Sequence, residues 1–120
     1  MEKVYLADKL ALFSEHWRPK VVGQFDDYEL KLLKIEGDFV WHSHDDEDEV
    51  FFVLEGDFRM DFRDRSIEVG AGEMIVVPSG VEHKPYAENE CHVMVIERRG
   101  VVNTGDAPQG ERTAPEQPRI

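Results

Sequence analysis

The chain has 120 residues and a formal net charge of -12 at pH 7, with 14 Lys and Arg against 26 Asp and Glu. This length suits one domain, which is long enough to bury a hydrophobic core and too short to build two. The acidic balance argues against nucleic acid or an anionic membrane as a partner, because phosphate binding needs clustered Lys and Arg. No apolar run reaches the roughly 18 residues of a membrane span, and we expect no targeting segment.

The single cysteine, Cys91, cannot form an internal disulfide. This agrees with a reducing compartment, so we expect a cytoplasmic protein. Adjacent residues of a strand point to opposite faces, and a thiolate–imidazole pair between Cys91 and His92 is therefore not expected. We interpret Cys91 as a small buried residue, and His92 as a surface group or a group behind the functional site.

Residues 5–17 show the apolar spacing of a short amphipathic helix. The stripe consists of Leu6, Leu10, Phe13 and Trp17. Pro19 follows and would end the helix. His16 is predicted to lie in the last turn, where a cation suits the helix dipole. Residues 1–20 are therefore expected to form an N-terminal helix and arm.

From Val21 onward the apolar residues follow the period of two that is typical of strands. Turns are predicted at Gly37-Asp38 and Gly56-Asp57. Residues 58–63 alternate strictly between apolar and charged side chains. Many short strands without helical segments between them predict an all-β antiparallel sandwich or barrel over residues 21–102.

The last 18 residues, 103–120, differ in composition from the barrel region. They contain three prolines and, apart from Ile120, no large apolar residue. Such a segment cannot bury enough surface to offset its ordering entropy. We therefore predict a flexible C-terminal tail.

The stretch WHSHDDEDEV, residues 41–50, contains a candidate metal site. On a strand, His42 and His44 would share one face about 7 Å apart. The acidic run after them is too polar for a central strand and predicts a loop, and a hairpin would then bring Glu49 beside the two histidines. Two imidazoles and a carboxylate suit Fe, Mn, Ni, Zn or Cu. A solvated acidic turn that happens to contain two histidines explains these residues nearly as well.

Two longer motifs extend this stretch. The spacing His42-x-His44-x4-Glu49-x6-Gly56 resembles the first motif of the cupin superfamily, and Gly72-x5-Pro78-x-Gly80-x2-His83 resembles the second. The chain departs from the usual pattern in two places. Gly37 lies one residue closer to the first histidine than usual, and Ala87 stands where the second motif usually has Asn.

The resemblance implies a fold, a ligand set and a cofactor. The fold is a small jelly-roll barrel, also called a double-stranded β-helix, with a metal ion near its mouth. The implied ligands are His42, His44, Glu49 and His83, and the cofactor is one divalent transition metal such as Fe, Mn, Ni or Zn. The chain looks most like the small single-domain cupins that are often labelled phosphomannose isomerase-like.

Strand alternation extends the prediction to the residues around the ion. The expected pocket lining is apolar and consists of Val40, Phe51, Val53, Phe58 and Met60. The opposite faces of the same strands carry Phe39, Trp41, Val50, Phe52 and Leu54. A strand that is apolar on both faces is usually covered on both. We therefore expect a homodimer that uses this outer face together with the helix stripe.

Fold alone does not determine activity, so the function is argued from the site. No Ser-His-Asp arrangement and no phosphate-cradling glycine loop is recognisable. We expect a metal-dependent enzyme of the oxygenase, isomerase or lyase type that acts on a small molecule in the barrel. The alternative is a non-catalytic binding or sensing protein that uses the metal to anchor its ligand. A purely structural metal site ranks below both.

Overall fold

The computed structural model describes residues 2–120. One short helix precedes seven strands along the chain. The elements are α1 (Leu6–Leu10), β1 (Lys20–Phe25), β2 (Tyr28–Asp38), β3 (Glu49–Glu55), β4 (Asp57–Phe62), β5 (Ser66–Gly70), β6 (Met74–Val77) and β7 (His83–Arg98). None of the helices within residues 2–120 has the length and hydropathy needed to cross a membrane.

All strand pairs are antiparallel, and the long strand β7 connects them. The strand order is β1-β2-β7-β3-β6, while β4 pairs with β5 and with β7. The first residues of β7 pair with β4, and its later residues pair with β2 on one side and β3 on the other. The sheet therefore rolls up around β7, and the predicted all-β jelly-roll barrel is confirmed.

The two predicted glycine turns have different outcomes. β2 runs through Gly37, whose φ is 78°, with a bulge between Ile35 and Gly37 instead of a turn. The chain does turn at Gly56, which also has a positive φ. The strands on either side of Gly56, β3 and β4, do not pair with each other, because each pairs with a different part of β7.

The core lies between the inward faces of these strands. In β4, Phe58 and Met60 are buried in the core cluster, as the alternation predicts. Cys91 is also fully buried there, in agreement with its interpretation from the sequence. Burial, and secondarily the charge of Asp57, raises the pKa of the Cys91 thiol to about 12, so this cysteine is a neutral packing residue.

The N-terminal helix is shorter than the apolar stripe predicts, because it ends at Leu10. Trp17 is not helical: its φ is 62°, and its buried indole stacks on Phe39 with ring centroids 4.6 Å apart. The indole Nε1 also donates to the carbonyl of Glu36 at 3.0 Å. Tertiary packing of the indole therefore overrides the local helical pattern. His16 lies outside any helix, and its Nε2 is 2.7 Å from Glu90 Oε1.

Residues 103–120 also differ from expectation, because they pack along the barrel. Thr104 and Ala114 are buried. The Val21 amide donates to the Pro118 carbonyl at 2.9 Å, and the Ile120 amide donates to the Val21 carbonyl at 3.0 Å. The composition argument considered only apolar burial, whereas hydrogen bonds attach much of this segment.

Candidate metal centre

Four buried side chains meet at one end of the barrel. His42 and His44 lie on the irregular stretch between β2 and β3, whereas Glu49 begins β3 and His83 begins β7. One donor atom from each residue lies within 4.8 Å of the others. The residues named by the sequence motifs are thus brought together in a cluster that could hold a metal ion.

The cluster forms by a different route from the predicted hairpin. His42 bridges to His83, whose amide donates to the His42 carbonyl at 2.9 Å, and the His42 amide donates back at 3.1 Å. The Gly80 amide donates to the His44 carbonyl at 2.9 Å. β3 pairs with β6 and β7 and not with the histidine stretch, so the hairpin that would join them is wrong. Glu49 reaches the histidines through the rolled sheet.

Two of the imidazoles are oriented by nearby backbone carbonyls. Nδ1 of His42 donates to the Val40 carbonyl at 2.9 Å, and Nδ1 of His83 donates to the Val81 carbonyl at the same distance. A neutral ring that donates through Nδ1 keeps its lone pair on Nε2. This arrangement fixes the tautomer and directs a metal-binding nitrogen of each ring toward the cluster.

Three polar atoms in the cluster are buried without a hydrogen-bond partner: His44 Nε2, Glu49 Oε1 and His83 Nε2. Glu49 Oε1 lies 3.5 Å from His44 Nε2 and 3.3 Å from His83 Nε2. Buried polar groups in proteins are nearly always paired. Imidazole nitrogens and a carboxylate oxygen that face one another unpaired are a donor set that fits a divalent transition metal.

Electrostatics favour the metal-binding form of the histidines. Burial, and next the neighbouring His83, lowers the pKa of His42 to about 3. Burial also lowers the pKa values of His44 and His83. The rings are therefore neutral at pH 7, as metal binding requires. Burial raises the pKa of Glu49, and a bound cation would offset that cost for the carboxylate.

Glu97, a residue the sequence analysis did not single out, lies behind Glu49. Burial, and next the adjacent Glu49, raises the pKa of Glu97 well above its ordinary value. The buried Lys31 Nζ contacts Glu97 Oε1 at 2.9 Å. Glu97 shares the inward face of β7 with Val93 and Val95. The alternation along ECHVMVIER could therefore have identified it.

A narrow cavity adjoins the cluster, with a volume of about 30 Å³. Its walls are mostly apolar. The lining residues are Trp17, Pro19, Leu33, Phe39, His42, Glu49, Phe51, Pro85, Val95, Glu97 and Asn103. One water needs at least roughly 10–15 Å³ of space, so this cavity admits water. A larger molecule must displace side chains here or approach the cluster from another side.

The predicted pocket lining is only partly found around this cavity. Phe51 lines it. Val53, Phe58 and Met60 are packed within the core cluster, and Val40 is half-buried against that cluster. Alternation gave the inward direction of these side chains, but it could not say how deep in the barrel each residue lies.

Comparison with known proteins identifies the domain. The model of the cupin domain family matches residues 30–97, more than half of the chain. A cupin-2 domain protein from Shewanella frigidimarina has a solved structure with a TM-score of 0.79 and 53% sequence identity. That match covers 80% of this chain and 94% of the Shewanella chain.

Two curated relatives match shorter regions. The uncharacterized protein YdbB of Bacillus subtilis is 34% identical over 64 residues, covering 52% of this chain and 57% of YdbB. An acireductone dioxygenase from Yarrowia lipolytica is 31% identical over 71 residues, covering 55% of this chain and 39% of the dioxygenase. The chain thus spans less than two thirds of either relative.

Proposed function

The chain belongs to the cupin domain family, and from that premise we propose that it is a metal-dependent enzyme acting on a small molecule. One divalent transition metal, Fe, Mn, Ni or Zn, binds through His42, His44, Glu49 and His83. The supporting observation is the set of buried donor atoms in this cluster that have no hydrogen-bond partner. Leaving them unpaired is costly, and a cation offsets the cost.

The metal, when bound, supplies Lewis acidity or oxygen activation, which suits an oxygenase, an isomerase or a lyase. The similarity to a protein named as a dioxygenase favours the oxygenase type. The chain's own residues prepare the site. The Val40 and Val81 carbonyls hold two imidazoles in the metal-binding tautomer. Burial and the adjacent Glu49 raise the pKa of Glu97, which favours its protonated form, and apolar walls restrict water.

A second candidate is a non-catalytic protein that binds or senses a small molecule through the metal. The lining of the cavity favours it, because few polar side chains other than the proposed ligands His42 and Glu49 line it and could act as acid or base. Oxygen uptake and product analysis with small neutral molecules would separate the two functions, since a binding protein would hold a ligand without consuming it.

Metal analysis tests the shared part of both proposals. Protein purified without added ions should contain about one transition metal per chain, and His42→Ala should contain far less. A wild-type protein that carries no metal, and whose melting temperature does not respond to Fe, Mn, Ni or Zn salts, would contradict the site assignment. The cytoplasmic location expected from the sequence stays a prediction.

We also propose that the chain forms a homodimer through one face of the sheet. Two apolar rows run across four strands on the side opposite to the core. We call seven residues the outer apolar face: Leu30, Ile96, Val50 and Val76 in one row, and Met94, Phe52 and Met74 in the other. Leu32, which continues the second row, is fully buried and is not part of this face. Met74 and Val76 are 62% and 47% exposed, and such a patch marks an interaction surface.

A second copy of this chain is the occupant we propose. The two rows carry no charged side chain, which limits the repulsion between two chains of net charge -12, and a two-fold axis brings the same patch onto itself. Arg98 and the acidic residues 46–48 border the same groove beside the rows, so a two-fold pairing can set opposite charges against each other.

This surface keeps Val50 and Phe52 of the predicted one and leaves out Leu54, Trp41, Phe39 and the helix stripe. The structure explains the exclusion of Phe39. That residue is buried and stacks on Trp17, so it belongs to the core and not to the outer face. No regular strand continues past Asp38, and the alternation used to place Phe39 and Trp41 therefore does not apply. Trp41 is half-buried beneath the guanidinium of Arg63.

A further inference from the structure

We propose that Gly105 and Asp106 are positioning residues of the metal centre, which hold the segment carrying His42 and His44 in its binding geometry. We call these two residues the clasp. The inference rests on the proposed metal binding, because it concerns how that site is maintained. It assigns a role to a part of the chain whose composition predicted a flexible tail.

The clasp holds the peptide units on both sides of Ser43, the residue between the two histidines. The Ser43 amide donates to Asp106 Oδ1 at 2.7 Å, and the Asp106 amide donates to the Ser43 carbonyl at 3.0 Å. The Ser43 hydroxyl donates to Asp106 Oδ2 at 3.1 Å. The amide, the carbonyl and the hydroxyl of the buried Ser43 thus all hydrogen-bond to Asp106.

The other side of the segment is held by residues around the second motif. The His42 amide and carbonyl pair with His83, and the His44 carbonyl accepts from Gly80. Residues 39–48 lie between β2 and β3 and have no regular strand pairing. At the ends of this segment the Phe39 amide donates to the Pro85 carbonyl, and Asp48 Oδ1 accepts from the Ser79 amide. The segment that carries the two histidines is therefore hydrogen-bonded to His83 and Gly80 on one side and to Asp106 on the other.

Gly105 makes this close approach possible. A Cβ atom at position 105 would overlap the Ser43 carbonyl oxygen and would lie 3.1 Å from Cδ2 of the His42 ring. The φ of Gly105 is also positive, at 54°. Any side chain here would push the clasp away from the ligand segment, or push the segment and the His42 ring with it.

The clasp is itself braced by the chain that follows it. Asn103 donates through Nδ2 to the Arg112 carbonyl and accepts from the Ala114 amide, both at 2.8 Å. The hydroxyls of the buried Thr104 and of Thr113 lie 3.0 Å apart. These bonds fold residues 103–114 back on themselves. The clasp is thus held in place by hydrogen bonds within its own segment, and it can restrain Ser43.

The consequence for the site follows from geometry. The two imidazoles attach on either side of Ser43, so a rotation of either Ser43 peptide unit moves one metal-binding nitrogen relative to the other. Residues that support ligands in this way usually contribute 10–100-fold to metal affinity. Asp106 also adds a negative charge near the site, and the test must separate charge from position.

Three variants make that separation, with Co(II) and Zn(II) titrations as the readout. Asp106→Ala removes the hydrogen bonds of the side chain and its charge. Asp106→Asn removes the charge and keeps an oxygen for the Ser43 amide. Its Nδ2 replaces the acceptor Oδ2 and can donate to the Ser43 hydroxyl oxygen instead. Asp45→Ala removes a charge from the other side of Ser43, where the side chain contacts only the hydroxyl, at 3.4 Å.

We expect Asp106→Ala to bind both metals about 10–100-fold more weakly than wild type and to change the Co(II) absorption spectrum. Asp106→Asn and Asp45→Ala should stay within about three-fold of wild type and keep its spectrum. An equal loss of metal affinity in all three variants would mean that the charge alone matters, and it would overturn the proposal. Unchanged affinity in Asp106→Ala would also overturn it.

Gly105→Ala provides an independent variant, since it keeps Asp106 and displaces the clasp sterically. It should weaken metal binding and alter the Co(II) spectrum, and wild-type binding in this variant would contradict the role of Gly105. If Asp106→Ala does not fold, this variant and Asp106→Ser decide the question with the same readouts.

Amide hydrogen exchange of the metal-free protein separates this inference from the proposed function. Exchange at the Ser43 amide should be at least about ten-fold faster in Asp106→Ala than in Asp45→Ala, with β3 unchanged. A wild-type protein that binds no metal would defeat the proposed function, and the exchange result would still decide on the clasp. Equal exchange in the two variants would defeat the clasp alone.

Discussion

Glu49 Oε1 lies 3.3 Å from His83 Nε2, and both atoms are buried without a hydrogen-bond partner. The two residues begin different strands, so only the rolled sheet brings them together. Such a contact is costly in the metal-free protein and useful in the metal-bound one. A variant that removes this contact should therefore weaken metal binding without destabilising the metal-free protein.

Glu49→Gln should weaken metal binding by about 100-fold or more, beyond the 10–100-fold effect usual for groups that only support ligands. In the presence of a chelator the same variant should be at least as stable as wild type at pH 7. The reason is that it replaces a carboxylate whose charged form is disfavoured by burial. Metal titration and urea unfolding with chelator measure the two effects. A marked loss of stability in the chelated state would contradict this account.

Metal binding should raise the melting temperature of the wild-type protein. A free metal concentration of 100 times Kd stabilises the folded state by about 2.7 kcal/mol. For a domain of this size that corresponds to a shift of roughly 10 °C. His42→Ala should lose the shift, whereas His92→Ala should retain it, because His92 pairs with Glu55 and Glu90 outside the cluster. A shift of equal size in His42→Ala would place the metal elsewhere.

The metal-free protein should lose stability as the pH falls from about 6.5 toward 3. The pKa of His42 is lowered to about 3 in the folded state, so the unfolded chain takes up a proton in this range and the folded chain does not. The loss amounts to at most about 1.4 kcal/mol per pH unit for this one group. In His42→Gln the slope of unfolding free energy against pH should be smaller. Parallel slopes in urea unfolding series would contradict the prediction.

Gly56→Ala should destabilise the protein more than Gly37→Ala. Both glycines have positive φ, which costs another residue roughly 1–2 kcal/mol. At position 56 a Cβ would also lie 3.1 Å from the Glu90 carbonyl and 3.3 Å from Cys91 Cα, whereas nothing lies within 4 Å at position 37. Urea unfolding should show an additional loss of about 1 kcal/mol or more at Gly56. Equal losses would mean that the backbone relaxes around the new methyl group.

The double variant Met74→Asp with Val76→Asp should be monomeric in sedimentation experiments while the wild type is dimeric. These side chains are exposed on the outer apolar face, so the substitutions disturb association more than folding. Val102→Asp, at another exposed apolar residue, serves as the control and should remain dimeric. A double variant that sediments as the wild type does would rule out this face.

Several features of the fold could be predicted because they depend on local pattern. Alternation in β4 places Phe58 and Met60 inside the barrel. The spacing of the two histidine-containing motifs marks the cluster of His42, His44 and His83 with Glu49. Side-chain direction on a strand follows from the period of two, and spacing along the chain is visible in the sequence itself.

Other features depend on contacts between distant segments. The stripe that ends in Trp17 predicts a helix. In the structure Trp17 has a left-handed backbone conformation, and its indole stacks on Phe39. The composition after Val102 predicts a free tail, but the Asp106 carboxylate accepts hydrogen bonds from Ser43, 63 residues earlier in the chain. Propensity is a weak preference that such contacts override.

The sequence by itself therefore determined the all-β class, the inward faces of the strands and the four residues of the candidate metal centre. Only the tertiary structure decided how these residues meet, which is through β7 and the bridge between His42 and His83 instead of a hairpin. It also decided that Gly105 and Asp106 lie against the ligand segment. The physical reason is that close packing and hydrogen bonding between remote segments depend on the whole fold, whereas periodicity and spacing are local.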